Sequence, residues 1–194
     1  MIAASTALRA LRSISAKEFR RGFEVVLAFK TVDADDVLEK LDDALAIIEQ
    51  GDARRYQRIK RDLHSILVTK AGGPEFLPPL FACLLGYQLI KDGTPLGLAF
   101  MIVHEGAHAR LWRRGFRYDP QIRGRVERLC INEELRFAEA INSSPAVVGW
   151  VHEKLSNTDR WSDAGIQTRR AAELNELGMA EWLQRLLRPR RARR

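Results

Sequence analysis

The sequence predicts a single domain, residues 1–194, with an α+β fold in which helices dominate. Several stretches repeat apolar residues at helical spacing between clear start and stop signals, and two short apolar stretches are typical of strands. The length is enough to bury a core without disulfides, and the two cysteines could form one bridge at most. A composition of 46% hydrophobic and 29% charged residues excludes collagen-like and wholly disordered chains.

The N-terminal region, residues 1–21, is interpreted as an amphipathic helix rather than a targeting peptide. Ser15-Ala-Lys-Glu18 matches a capping box, which marks the start of many helices. The apolar residues that follow are at helical spacing: Phe19, Phe23, Val26 and Leu27.

The next part of the chain predicts two helices and a strand. A helix is expected over residues 35–50, ending at Gly51, because its apolar residues fall on one stripe. A second helix is expected over residues 52–67, and Gly72-Gly-Pro74 interrupts the chain after it. Ile66–Thr69 is an alternative strand candidate within the same region.

The stretch from Leu80 to Ile90 is the second strand candidate, although its periodicity does not separate a buried strand from a buried helix. Three later helices are predicted where a capping side chain precedes a proline, at Thr94-Pro95, Asp119-Pro120 and Ser144-Pro145. The expected helices run from Pro95 to Arg114, from Pro120 to Ile141 and from Pro145 past Trp150, followed by a helical pair between Ser162 and Pro189.

The net charge of +7 is concentrated at the two ends of the chain. Residues 185–194 carry six arginines and no acid, and residues 1–21 carry five basic residues and one acid, which leaves residues 22–184 with a net charge of −3. The body of the protein is therefore not basic, and nucleic acid is not an expected partner except through the arginine-rich tail. The longest apolar stretch, residues 76–90, is too short to span a membrane, so a cytoplasmic location is expected.

Two of the four histidines stand in His104-Glu-Gly-Ala-His108, the H-E-x-x-H pattern, within a motif core at about residues 60–142. Histidines four residues apart lie on one helix face, so both rings can bind a single zinc ion. Glu105 is rotated by about 100° from His104 and can act on a water molecule at the ion instead. The alternative is two ordinary histidines on a core helix.

A catalytic zinc site of this kind needs a third protein ligand and one open position. Glu127 and Glu134 both fall within or beside the apolar stripe of the next helix, where a carboxylate is unfavourable unless it is paired or bound to metal. Seven residues on a helix correspond to roughly 10 Å along its axis, so one zinc ion cannot easily use both. Glu127, Glu134 and Glu133 all remain candidates, and the unused acid would bond a ligand histidine or pair with an arginine.

These residues resemble the gluzincins, zinc metallopeptidases with two helical histidines and a glutamate from a following helix. Eighteen residues separate His108 from Glu127, which is similar to the aminopeptidase branch. The resemblance covers about residues 95–141 and implies that His104, His108 and Glu127 are ligands and that Glu105 is the general base. The chain also looks like small bacterial HExxH proteins in which both acids recur, and this keeps Glu134 open.

Other polar residues are weaker candidates. Gluzincins often stabilise the oxyanion with a tyrosine or histidine, a role open to Tyr118 or His152, but both are interpreted as packing or surface residues. His64 falls in a charged helix and is interpreted as structural. Cys130 lies one helical turn from Glu127 and could face the site, but it is interpreted as a small core residue.

The expected function is that of a zinc-dependent hydrolase, a metallopeptidase acting on a peptide or protein substrate with Zn²⁺ as cofactor and Glu105 as general base. A zincin-like pair of motif helices beside a small β-sheet is the expected architecture. A short strand within Leu80–Ile90 could bind substrate as an added strand. The alternative is a non-enzymatic or catalytically degenerate helical module that binds a partner or nucleic acid through its basic termini.

Overall fold

The computed structural model describes residues 16–29, 33–70, 72–157, 161, 162, 164, 165 and 168. Within these residues the chain forms six helices and five strands, which confirms the predicted helix-dominated α+β class. Most of the helical pair predicted after Ser162, the whole of the basic tail at 185–194 and the first fifteen residues lie outside the described residues.

The elements alternate along the chain in an order that places two helices between the second and third strands. The strands are β1 (Ala16–Arg20), β2 (Phe23–Leu27), β3 (Ser65–Thr69), β4 (Glu75–Leu77) and β5 (Ala82–Gly86). The helices are α1 (Ala34–Gly51), α2 (Ala53–Asp62), α3 (Tyr87–Asp92), α4 (Pro95–Arg113), α5 (Arg123–Ala140) and α6 (Pro145–Ser156).

The strands form one sheet in the order β1-β2-β3-β5-β4. The three inner strands are parallel, since β3 pairs with both β2 and β5 in that sense. The two outer strands, β1 and β4, are antiparallel to their neighbours. The chain crosses from β2 to β3 through α1 and α2, the helical connection that parallel strands require.

The helix predicted after Ser15 is wrong, because residues 16–27 form the β1–β2 hairpin. Arg21 and Gly22 connect the strands with positive φ angles of 46° and 82°, the combination that a tight two-residue hairpin turn needs. The apolar spacing that suggested a helix also fits a strand, since Phe23, Val25 and Leu27 alternate along β2 and all belong to the core.

The helix predicted over residues 52–67 is too long, because α2 ends at Asp62 and the backbone of Leu63 is already extended. The strand candidate Ile66–Thr69 is confirmed within β3, where Leu67 pairs with Val26 on one side and Leu84 on the other. His64 therefore lies in the connection after α2 and not within a helix. Strand pairing overrides the helical spacing here, as it often does for short apolar segments.

The stretch Leu80–Ile90 contains β5 and then most of α3. Because β5 lies between β3 and β4, it cannot accept a further strand, and the expectation that this stretch binds substrate is wrong. The edge of the sheet on this side is β4, all three residues of which pair with β5.

The start of α4 is as predicted: Thr94 accepts a hydrogen bond from the backbone N–H of Gly97 at 3.1 Å, and Pro95 is the first helical residue. The helix α5 starts at Arg123 rather than Pro120, because residues 119–122 form a turn closed by the Ile122 N–H to the Asp119 carbonyl. The helix α6 starts at Pro145 as predicted, although the Ser144 side chain makes no capping bond.

The helix α4 lies at the centre of the molecule, in contact with α1, α2, α5, β4 and β5. Its apolar residues, among them Leu98, Phe100 and Ile102, are almost fully buried and share one core with the inner strands. This packing supplies the rigid support on which a set of polar side chains can keep a fixed geometry. None of the described helices combines the length and the apolar character that crossing a bilayer requires.

Candidate metal centre

His104 and His108 lie on one face of α4, towards α5, and their side chains are 14% and 12% exposed. Their Nε2 atoms are 3.2 Å apart, and the rings meet at an interplanar angle of 62°. The i, i+4 spacing therefore brings the two imidazole nitrogens to one point, as the H-E-x-x-H pattern predicts.

Glu127 of α5 faces both rings. One carboxylate oxygen lies 3.3 Å from Nε2 of His104, and the other lies 3.6 Å from Nε2 of His108. The hydroxyl of Tyr118, in the loop between α4 and α5, donates a hydrogen bond to the same carboxylate. Glu127 is 6% exposed, so this network replaces the solvation that the carboxylate loses.

Glu134 binds the opposite side of the His104 ring. Its Oε1 lies 2.6 Å from Nδ1 of His104, and Nζ of Lys154 on α6 donates to its two oxygens at 2.7 and 2.5 Å. The two acids that the sequence left as rivals thus address the two nitrogens of a single imidazole. The roughly 10 Å between them along α5 is the reason they reach different sides of the ring.

The polar atoms of His104, His108 and Glu127 have separations close to those around a zinc ion, with one oxygen of Glu127 near each histidine. Two bonds of about 2.0–2.1 Å at a tetrahedral angle place their donor atoms about 3.3 Å apart. The observed distances among these three side chains are 3.2, 3.3 and 3.6 Å. With Nδ1–H of His104 donating to Glu134, the lone pair of Nε2 is directed at this point, the usual arrangement of a carboxylate behind a metal-binding histidine.

In the metal-free protein the pKa values of the two histidines are shifted in opposite directions. Burial lowers the pKa of His104, but the hydrogen bonds to Glu127 and Glu134 and the charge of Glu105 outweigh it and raise the pKa to about 10. Burial, followed by the charge of His104, lowers the pKa of His108 to about 4. A cation is thus favoured at His104, between two carboxylates, and a divalent ion would take the place of its proton.

Both acids are held in the ionised form. Burial raises the pKa of Glu127, but the hydrogen bond and charge of His104, then the charge of His108 and the Tyr118 hydroxyl, lower it to about 2. Burial likewise raises the pKa of Glu134, and His104 and Lys154 lower it below its ordinary value. Two ionised carboxylates with low exposure therefore flank the imidazole of His104.

Glu105 differs from these two acids. It is 4% exposed, and burial raises its pKa to about 7, against the opposing effect of His104 and with added repulsion from Glu127, Glu75 and Glu134. A carboxyl group with a pKa near neutrality can both accept and release a proton at physiological pH. Its position one residue after His104 on α4 is the one that the motif predicts for a general base.

The interpretation of Tyr118 as a packing residue is incomplete, because the residue is 41% exposed and its ring lies 5.4 Å from the ring of His108. Its hydroxyl orients Glu127, a role that no short sequence pattern predicts. Sequence reasoning also misses Lys154, which lies twenty positions after Glu134 in the chain and reaches it through the packing of α6 against α5. No local sequence signal identifies either contact.

Three other candidates lie elsewhere. Glu133 binds Arg55 at 2.7 Å and Arg136 at 2.8 Å rather than a histidine. Nε2 of His64 accepts a hydrogen bond from Nη2 of Arg113 at 2.9 Å, and its ring packs on Phe81. His152 is exposed on α6. None of these three side chains extends the set formed by His104, His108 and Glu127.

Cys130 lies at the centre, one turn after Glu127 on α5. Its Sγ and one ring nitrogen each of His104 and His108 are all within 4.8 Å of one another. The side chain is fully buried in a small apolar cluster with Ala107 and Val126. Both interpretations of Cys130, core residue and ligand, are therefore compatible with where it lies.

Comparisons of the chain with protein-family models, with curated proteins and with solved structures found no match.

Proposed function

We propose that the protein is a zinc-dependent hydrolase, a metallopeptidase in which His104, His108 and Glu127 hold the ion and Glu105 is the general base. The observation that carries this proposal is the convergence of these three side chains, with nitrogen and oxygen atoms 3.2 to 3.6 Å apart. Three protein ligands leave one tetrahedral position open, which is the arrangement of catalytic rather than structural zinc sites.

Zinc bound at this point would act as a Lewis acid on a carbonyl group and lower the pKa of water toward about 7. The side chains of the protein would position the ligands and transfer a proton. Glu105, whose carboxyl group is buried next to His104 on α4, would accept the proton of the attacking water and later deliver it to the leaving nitrogen. Glu134 fixes the orientation and the tautomer of His104, and Lys154 holds Glu134 in place.

The strand β4 is the proposed support for an extended substrate. It forms the edge of the sheet, contacts α4, and its Glu75 lies close enough to influence the pKa of Glu105. An extended peptide added to a sheet edge is held by main-chain hydrogen bonds, so its sequence matters less than its conformation. A peptide bond aligned along β4 would thus be brought towards the face of α4 that carries Glu105.

The test is metal analysis and peptidase assay of the purified protein. We expect one zinc ion per chain and cleavage of internally quenched peptides. Glu105→Gln should retain zinc while hydrolysis falls by about 10²- to 10⁴-fold, the usual contribution of a general base. His104→Ala should lose zinc, and His152→Ala, which removes an exposed histidine, should change neither property.

The same assay separates the roles of the two acids. Glu127→Ala should abolish stoichiometric zinc, whereas Glu134→Gln should weaken zinc binding by about 10- to 100-fold, as the loss of a histidine's hydrogen-bonding partner usually does. A protein that binds no stoichiometric metal would exclude the proposal. Stoichiometric zinc without hydrolysis would instead indicate a degenerate centre, the alternative that the sequence left open.

A further inference from the structure

Cys130 is the one side chain of the centre without an assigned role in the proposed hydrolysis. It follows Glu127 by three residues on α5, so both side chains point to the same side of the helix. Its relative exposure is 0%, and Sγ lies within 4.8 Å of both histidine donor atoms. A thiol in this position faces two imidazoles that are themselves brought to one point.

We infer that Cys130 is a fourth protein ligand of the ion, alongside His104, His108 and Glu127. The inference depends on the metal centre of the proposed function but goes beyond it. Cysteine sulfur binds zinc at about 2.3 Å, which places it about 3.6 Å from a histidine nitrogen on the same ion. Because Sγ already lies within 4.8 Å of the histidine donor atoms, at most about 1.2 Å separates it from that position, and the thiol loses its proton to solvent when the bond forms.

Two consequences follow from a sulfur ligand. Thiolate is a soft donor, so the centre selects zinc, cobalt or a copper ion over magnesium and calcium, which prefer oxygen. Four protein ligands also complete a tetrahedron, as in structural zinc sites, so the resting centre is closed to water. Hydrolysis at this centre then requires one ligand to leave, and the centre with three protein ligands and an open position is the state in which Cys130 has dissociated.

The experiment is X-ray absorption at the zinc edge of the full-length, zinc-loaded protein, together with absorption spectra of the cobalt(II)-substituted protein. We expect one sulfur neighbour at about 2.3 Å among nitrogen and oxygen neighbours at about 2.0–2.1 Å. The cobalt protein should show a sulfur-to-cobalt charge-transfer band in the near ultraviolet. Cys130→Ala should lose both signals. Its zinc affinity should fall by about tenfold or more, because even the loss of a residue that only hydrogen-bonds a metal ligand usually has an effect of that size.

Cys83 provides the matched control, because it is the other cysteine of the chain, is fully buried, and lies in β5. Cys83→Ala should keep the sulfur signals. If Cys130→Ala does not fold, the test is whether the wild-type protein and Cys83→Ala both show a sulfur neighbour of zinc in the X-ray absorption spectrum. One bound ion without sulfur would overturn the role of Cys130 and leave the His104–His108–Glu127 centre intact, whereas no bound ion would overturn both.

Discussion

Glu105 shows how one side chain can be prepared for proton transfer by its surroundings alone. Burial comes first among the causes that raise its pKa, and the negative charges of Glu127, Glu75 and Glu134 add to it. The unfolded chain exposes the same carboxyl group to water, where its pKa is about 4.5. The folded protein therefore binds this proton more tightly than the unfolded chain does, and folding stability depends on pH.

We predict that Glu105→Gln makes the metal-free protein more stable relative to wild type as the pH rises from 4.5 to 7. Over this interval the wild-type carboxyl ionises in the unfolded chain before it ionises in the folded protein, so native stability falls; glutamine does not ionise. The difference in free energy of unfolding should grow by about 3 kcal/mol, measured by urea denaturation at pH 4.5 and pH 8. A difference that is the same at both pH values would contradict the burial argument.

The sequence predicts His104, His108 and Glu105 because the helix geometry of a five-residue motif is local. It does not decide between Glu127 and Glu134, since both point in nearly the same direction from α5. The choice depends on where α5 lies against α4, and this places Glu127 at Nε2 and Glu134 at Nδ1 of His104. Contacts of that range are not encoded in any short pattern.

Among the secondary-structure elements, the contact between α2 and α4 sets the position of the motif helix. A Cβ atom added at Gly106 would lie 2.9 Å from Cγ1 and 3.2 Å from Cγ2 of Ile59 on α2. Ile59 is β-branched and buried, so its side chain has little freedom to move aside. Glycine between the two histidines thus permits a close approach that any larger residue would prevent.

We predict that Gly106→Ala destabilises the protein although alanine favours the helix. Overpacking of a close contact costs about 1–3 kcal/mol, which exceeds the gain of about 0.5–1 kcal/mol in helix propensity. The matched control is Gly149→Ala on α6, where a Cβ meets nothing within 4 Å and the gain should appear alone. Thermal or chemical denaturation of both variants tests this, and equal stabilisation of the two would show that α2 can move away.

The β1–β2 hairpin and the end of α2 show where prediction from sequence fails at this level. Residues 16–27 satisfy both a helical and an alternating pattern, and the pairing with β3 decides in favour of strands. The helices α1 and α4 were predicted nearly to the residue, because each has a single apolar surface or a clear cap. Local sequence signals therefore suffice to predict the bounds of such helices, but not the conformation of segments that can pair with strands distant in the sequence.

Across the whole molecule, one polar chain of contacts joins three helices and a loop. It runs from Lys154 on α6 through Glu134 on α5 to His104 on α4, and back through Glu127 to Tyr118. An ion bound between His104 and Glu127 would tie α4 to α5 directly and stabilise the native state in proportion to its occupancy.

We predict that zinc raises the midpoint of thermal unfolding of the chelator-treated protein. Free zinc at 100 times the dissociation constant should add about 2.7 kcal/mol, which corresponds to roughly 5–10 °C for a chain of this size. Scanning calorimetry with and without zinc measures the shift. His104→Ala should show none, and an equal shift in that variant would mean that zinc binds elsewhere in the chain.

The ion pair between Lys154 and Glu134 limits how far the chain can be shortened. A fragment ending near residue 142 would still contain the whole motif and both acids, yet the fully buried carboxylate of Glu134 would lose its ion pair with Lys154 and the packing of α6 against α5. His104 would still bind Glu134, but Val151 of α6, which is fully buried, would also be lost from the core. Any minimal version of this protein, whether for crystallisation or for transplanting the centre into a new scaffold, must therefore extend through α6.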